Sequence, residues 1–171
     1  MNEDSEKLQA TSSKLKARVY VATDHGGYEL KEKLKPFLAS LGHEVEDCGA
    51  HEFNVEDDYP DFIIPCAKKV AGDPGSFGII IGASGQGEAM AANRVPGARA
   101  AVFYGEPTQK QIDSDGKEID IVTSARNHNN ANILSLGARF LTEEEIQGKI
   151  EQFLATPFGG GRHIRRVEKL G

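Results

Sequence analysis

The chain has 171 residues, 39% of them hydrophobic and 27% charged, a length that fits one domain with a core large enough to need no disulfide or metal staple. Twenty basic against 26 acidic side chains leave a net charge of −6, which excludes a protein that coats nucleic acid or anionic membrane over its whole surface. No run approaches 18 apolar residues, so no membrane span is expected.

Residues 1–16, MNEDSEKLQATSSKLK, are polar throughout and lack the apolar region of a secretory signal. They read as a disordered polar tail, and 17–171 as a single domain. Arg18–Thr23 (RVYVAT) is a short β-rich run that ends at Asp24-His25-Gly26-Gly27. From Tyr28 to Leu41, Leu30, Leu34, Phe37, Leu38 and Leu41 recur at helical spacing. Pro36 falls inside this helix, and Gly42 reads as its stop. His43–Cys48 is a weak alternating strand, followed by an acidic loop from Gly49 to Asp58. Tyr59–Val70 predicts a helix after a proline start.

Phe77–Ile81 (FGIII) is the apolar run of a strand buried on both faces, and Gly82–Glu88 follows it directly. Glu88–Val95 predicts a helix of small residues; Ala98–Tyr104 and Ile133–Leu136 predict two more strands. Between them, Gln109–Asp120 has turn chemistry and little apolar content, and reads as a surface insertion or mobile loop. Thr142–Leu154 opens with Thr142 and Glu145, the spacing of a capping box. The end from Gly159 is glycine-rich and then basic. Strands alternating with helices imply βαβ units. The expected class is α/β: a Rossmann-like three-layer α/β/α fold with a mostly parallel five-stranded sheet, in the common order 2-1-3-4-5.

In such a sheet ligands bind beyond the carboxyl ends of the strands, where the strand order reverses. The first and third strands are neighbours there, so Asp24-His25 and Gly82–Glu88 should face each other across one crevice. Gly82–Glu88 is neither a dinucleotide fingerprint nor a P-loop. It is a glycine-rich turn into a helix start, whose free N–H groups suit a phosphate or a developing oxyanion. Ser84 adds a hydroxyl donor. Each residue also has a plainer explanation. Glu88 can be an acid favoured by the first turn of a helix. Asp24 can be an N-cap, His128-Asn129-Asn130 a loop turn, and Arg162, Arg165 and Arg166 a solvated helix face. Yet Arg162 and Arg166, four apart, would share one helical face and could grip a phosphate dianion.

Together these segments resemble the ribose-5-phosphate isomerase B and galactose-6-phosphate isomerase family. The stretches that carry the resemblance are TDHGGYELK from Thr23, DYPDF from Asp58 and GIIIGASGQGEAMAANRVPGARAA from Gly78. NHNNANILSLGAR from Asn127 and TPFGGGRHIRRVEK from Thr156 complete the set, in order along the chain. The resemblance implies an enzyme that interconverts a phosphorylated aldose and ketose, here ribose 5-phosphate and ribulose 5-phosphate of the pentose phosphate pathway, without metal or organic cofactor. It implies that Asp24 and His128 open the sugar ring. His25, Asn129, Arg139, Arg162 and Arg166 would hold the sugar and its phosphate. Ser84 and the N–H groups of Ala83, Gly85, Gln86, Gly87 and Glu88 would stabilise the enediolate.

In one branch of the family the base is a cysteine at the place of Gly82; the other uses a glutamate at the place of Glu88, and this chain falls in the second. Cys66 sits in an apolar helix and reads as a packed thiol. Tyr59 lies near the family's site, with a structural hydroxyl as the alternative. Family active sites are built at a dimer interface, so a homodimer with shared sites is expected, His128 and Asn129 coming from the neighbour, with dimer against tetramer left open. The segment Gly105–Arg126 is about a dozen residues longer than the family's usual link, a length that tests the ordinary loop prior.

Two cysteines, Cys48 and Cys66, without CxxC or secreted spacing suit a reducing, cytoplasmic compartment. The five histidines lack HxxxH spacing, so no metal site is expected. The competing readings are the same chemistry on galactose 6-phosphate, allose 6-phosphate or a tetrose phosphate, and a sugar-phosphate binder without catalysis. The second gains nothing from a carboxylate beside a phosphate dianion.

Overall fold

A computed structural model describes residues 16–171; the tail expected at 1–16 lies, but for Lys16, outside them. The chain alternates strands and helices. β1 (Arg18–Thr23) leads through a 3-10 turn at His25–Gly27 into α1 (Tyr28–Ser40), and β2 (Glu44–Asp47) into α2 (Pro60–Gly72). β3 (Phe77–Gly82) is followed by α3 (Gln86–Ala92), and then by β4 (Ala100–Phe103). After β4 come two short strands, β5 (Gln111–Ile112) and β6 (Glu118–Ile119), then α4 (Ile121–Asn129), β7 (Ile133–Gly137) and α5 (Glu143–Ala155). The end carries two 3-10 turns around α6 (Ile164–Val167).

Five strands form one sheet in the order β2-β1-β3-β7-β4, every pairing parallel. Side chains alternate across it. Val19, Val21, Ile79 and Ile81 point to one face, where Leu34, Leu38, Val122, Ile146, Ile150 and Phe153 cover them from α1, α4 and α5. Tyr20, Ala22 and Ile80 point to the other, under Ile63, Cys66, Ala67 and Val70 of α2 and Ala91 and Ala92 of α3. The result is the expected three-layer sandwich. Among the described residues no helix is long and apolar enough to cross a membrane.

Three expectations need correction. In order of appearance the sheet runs 2-1-3-5-4, because Ile133–Gly137 is buried at all five positions and takes the inner place, while Ala100–Phe103 is half-buried at the edge. Gln109–Asp120, a surface insertion, carries structure of its own rather than being loop alone: β5 and β6 pair antiparallel as a small hairpin, closed by Asp113, whose carboxylate accepts from the N–H of Asp115 and Lys117. His128 and Asn129 are not in a turn but close α4, which Asp120 caps by accepting from Val122 and Thr123; Asn130 then takes left-handed backbone at φ 48°. The capping box on α5 is present as expected, with Thr142 and Glu145 bonding reciprocally.

Candidate active site

The carboxyl edge of the sheet brings the first group of residues together. β1 and β3 are hydrogen-bonded neighbours, so the loops leaving them meet. A Cβ on Gly26 would sit 3.4 Å from the Ala83 nitrogen and 3.0 Å from Asp24 Oδ1. Asp24 caps the short turn after β1, its Oδ1 accepting from the Gly26 N–H at 2.8 Å. The plain role and the site position therefore belong to the same side chain.

The loop Gly82–Glu88 is pinned from below. Ser135 of β7, fully buried, donates to the Gly85 carbonyl at 2.6 Å. Gly85 adopts φ 76° to turn the chain into α3, a conformation that favours glycine. Ser84 Oγ accepts from the Gln86 N–H at 3.3 Å, which leaves its own proton free to donate. The N–H groups of Ala83, Ser84, Gly85 and Gly87 find no acceptor among the described residues. Such orphan donors at a helix start suit an anion.

Glu88 is 5% exposed. Its carboxyl lies over Gly82, where any Cβ would fall well under 3.0 Å from the carboxyl carbon and both oxygens. Burial pushes this carboxyl above the ordinary glutamate range; the carboxylate of Asp24 adds to the effect, and a bond from its own main-chain N–H opposes it. A surface acid answering a helix dipole would be neither so buried nor so placed. Tyr59 packs its ring on Gly87, where a Cβ would meet the phenol Cζ at 2.8 Å. Arg139, exposed just past β7, anchors its main chain on Ala83 O at 3.1 Å and acts electrostatically on His25.

His25 has a partner that the sequence did not single out. Asp57 Oδ1 lies 2.6 Å from His25 Nδ1 and accepts from the His25 main-chain N–H at 3.0 Å. Asp24, His25 and Asp57 each place one ligand atom within 4.8 Å of the others. His25 Nδ1 is spent on Asp57 there, so the trio is a hydrogen-bonded pair with a flanking carboxylate.

The second group lies elsewhere. α4 returns from the carboxyl edge and delivers the chain to the start of β7, where Gly78 N donates to Asn132 O at 2.8 Å. His128 and Asn129 therefore stand at the amino edge of the sheet, about 15–20 Å from the first group for strands of five or six residues. The C-terminal segment wraps onto them: Gly159 N donates to Asn127 O at 2.9 Å, and His163 stacks on His128 with centroids 4.5 Å apart and planes 10° from parallel. His163 is held below its ordinary range by desolvation and by His128, Arg162 and Arg166 beside it.

Arg162 lies in a 3-10 turn and Arg166 in the four-residue α6, rather than on one long helix. The hairpin tip reaches the same cluster: Arg162 donates to Ser114 Oγ at 2.8 Å, and His128 helps to hold the Asp113 carboxyl below its usual range, after the main-chain bonds that dominate. Among the described residues no hydrogen bond or ion pair joins this cluster to Asp24, His25 or Glu88. One chain thus carries two clusters of candidate residues on opposite edges of the sheet.

The model of the ribose/galactose isomerase family matches residues 19–170. Ribose-5-phosphate isomerase B of Mycobacterium tuberculosis is 42% identical over 154 residues, 90% of this chain and 87% of that protein. The structure of ribose 5-phosphate isomerase B from Anaplasma phagocytophilum superposes with a TM-score of 0.78 at 35% identity, covering 94% of this chain and 100% of the other. That of the Mycoplasma genitalium enzyme with bound ribulose-5-phosphate does so with a TM-score of 0.77 at 36% identity, covering 90% and 93%.

Proposed function

The chain belongs to the ribose/galactose isomerase family, and on that premise we propose that it interconverts ribose 5-phosphate and ribulose 5-phosphate through a cis-enediolate, with Glu88 as the base. The observation that carries the assignment is the Glu88 carboxyl, buried against Gly82 beside a loop of unbonded N–H groups. A base with its affinity for protons raised by desolvation is better matched to carbon acids than an ordinary carboxylate.

Asp24 and His128 open the ring by moving the anomeric hydroxyl proton to the ring oxygen. Glu88 takes the proton from C2 of the open chain and returns it to C1, while the O2 hydroxyl proton passes to O1. The charge that develops on these oxygens meets the Ser84 hydroxyl and the free N–H groups of the Ala83 to Glu88 turn, those of Ala83, Ser84, Gly85 and Gly87. His25, Asn129, Arg139, Arg162 and Arg166 hold the sugar and its phosphate, fixing the reacting carbons against the base. This route asks for no metal or organic cofactor.

A complete site needs both half-sites, so we assign the working unit to a homodimer in which a second copy of the chain supplies His128, Asn129, Arg162 and Arg166 to each Glu88. The two free thiols favour a reducing, cytoplasmic setting. The test is conversion of ribose 5-phosphate in a coupled assay with chelator present, with proton exchange at C2 followed in deuterated water. Turnover with exchange is expected, and Glu88→Gln should lower kcat by at least about 10²-fold. Binding without exchange would leave only a sugar-phosphate binder. Parallel assays on allose, galactose and erythrose phosphates rank the substrates.

A further inference from the structure

We propose that Asp57 is a positioning residue of this site: its carboxylate fixes the ring of His25 and keeps it charged for the phosphate of the substrate. The inference rests on the placement of His25 at that phosphate.

Four acids, Glu52, Glu56, Asp57 and Asp58, stand in the loop after β2, and three are exposed. The Asp57 side chain is only 8% exposed. The loop turns at Asn54, whose carbonyl accepts from the Asp57 N–H at 3.1 Å, and this brings Asp57 to the end of β1. One oxygen, Oδ1, then receives both the main-chain N–H and Nδ1 of His25. The double contact fixes the ring and its tautomer: Nδ1–H points at Asp57, and Nε2 faces away from it.

The other oxygen, Oδ2, is buried and has no partner among the described residues. A carboxylate so poorly solvated requires a cationic neighbour, and His25 is the group in contact. The charges facing His25 are Asp57, Asp24 with Oδ2 at 4.0 Å, and Arg139 in opposition. Their sum favours the imidazolium: the bond to Asp57 is the largest influence, and it holds His25 above its ordinary range. An imidazolium anchored at Nδ1 offers Nε2–H as a charge-assisted donor, the stronger kind of phosphate contact.

The test compares wild type with Asp57→Asn, Asp57→Glu and His25→Gln. Inorganic phosphate serves as competitive inhibitor of the isomerase from pH 5.5 to 9, and the His25 ring is titrated by NMR. In the wild type phosphate inhibition should weaken as pH rises through the elevated His25 transition. Asp57→Asn keeps an acceptor for the main-chain N–H but removes the charge. Its His25 should titrate lower, and its Ki for phosphate should rise severalfold in the pH interval between the two NMR transitions, where only the wild-type ring keeps its charge, while nearly matching wild type at pH 5.5. Asp57→Glu should restore part of the profile.

An ordinary His25 transition in the wild type, or identical titrations and Ki profiles in wild type and Asp57→Asn, would overturn the role of Asp57. If instead His25→Gln leaves the Ki for phosphate unchanged while Asp57→Asn still moves the titration, it is the placement of His25 at the phosphate that fails.

Discussion

Gly82 offers a test of the base that leaves the base itself in place. Gly82 has no left-handed backbone to protect, and the three atoms nearest an added Cβ all belong to the Glu88 carboxyl. Gly82→Ala should therefore fold, with the far end of Glu88 yielding. The carboxyl must retreat by about 1.4 Å to go from 2.0 Å to the 3.4 Å of ordinary contact, and a misplacement of about 1 Å already costs on the order of 10²-fold in rate. We expect kcat for ribose 5-phosphate to fall by about 10²-fold with KM little changed, since the phosphate contacts are elsewhere. The control is the double variant. If both substitutions act through one proton transfer, Gly82→Ala combined with Glu88→Gln should be no slower than Glu88→Gln alone. Wild-type turnover in Gly82→Ala, or losses that multiply in the double variant, would refute the placement of the base.

Glu88→Gln should also change stability with pH. Folding raises the Glu88 pKa, so its contribution is favourable below the unfolded value and is lost as pH rises through the folded one. The variant should melt above wild type at pH 7 to 8 and lose that advantage toward pH 4; equal melting shifts at both ends would contradict it. Mixed dimers from co-expressed Glu88→Gln and His128→Ala chains should recover roughly a quarter of wild-type activity by random pairing, although each homodimer is inactive; no recovery would mean that the site is built within one subunit. Arg166→Ala should raise KM more than it lowers kcat, as for a contact shared by ground and transition states, and a fall in kcat at constant KM would oppose this. Cys66, fully buried and held as a thiol by Cys48 and by desolvation, should tolerate Ser with turnover near wild type; loss of activity there, with Glu88→Gln active, would reassign the base.

The sequence made the first half-site legible because it needs only local facts. Two apolar runs, each ending in a polar loop, become neighbours in any order that begins 2-1-3, so exchanging the last two strands left the meeting of Asp24 with Gly82–Glu88 intact. That exchange was hidden because AAVF and ILSLG are both short and apolar; burial separates them, and composition does not. The hairpin escaped because strands of two residues hold no periodicity to read, and α4 because its inward face is only Val122 and Arg126, leaving the Asp120 cap as its single local mark. Asp57 was one acid among four, and nothing along the chain tells which of them turns inward.

The second half-site exposes a different limit. Motifs in a row look like one site, yet a helix that leaves the carboxyl edge of a parallel sheet and feeds its next strand must finish at the other edge. His128 at the end of α4 cannot then meet the Glu88 of its own chain along the length of the strands. The topology divides the candidate residues between two edges of the sheet, and the proposed chemistry then calls for a second copy of the chain.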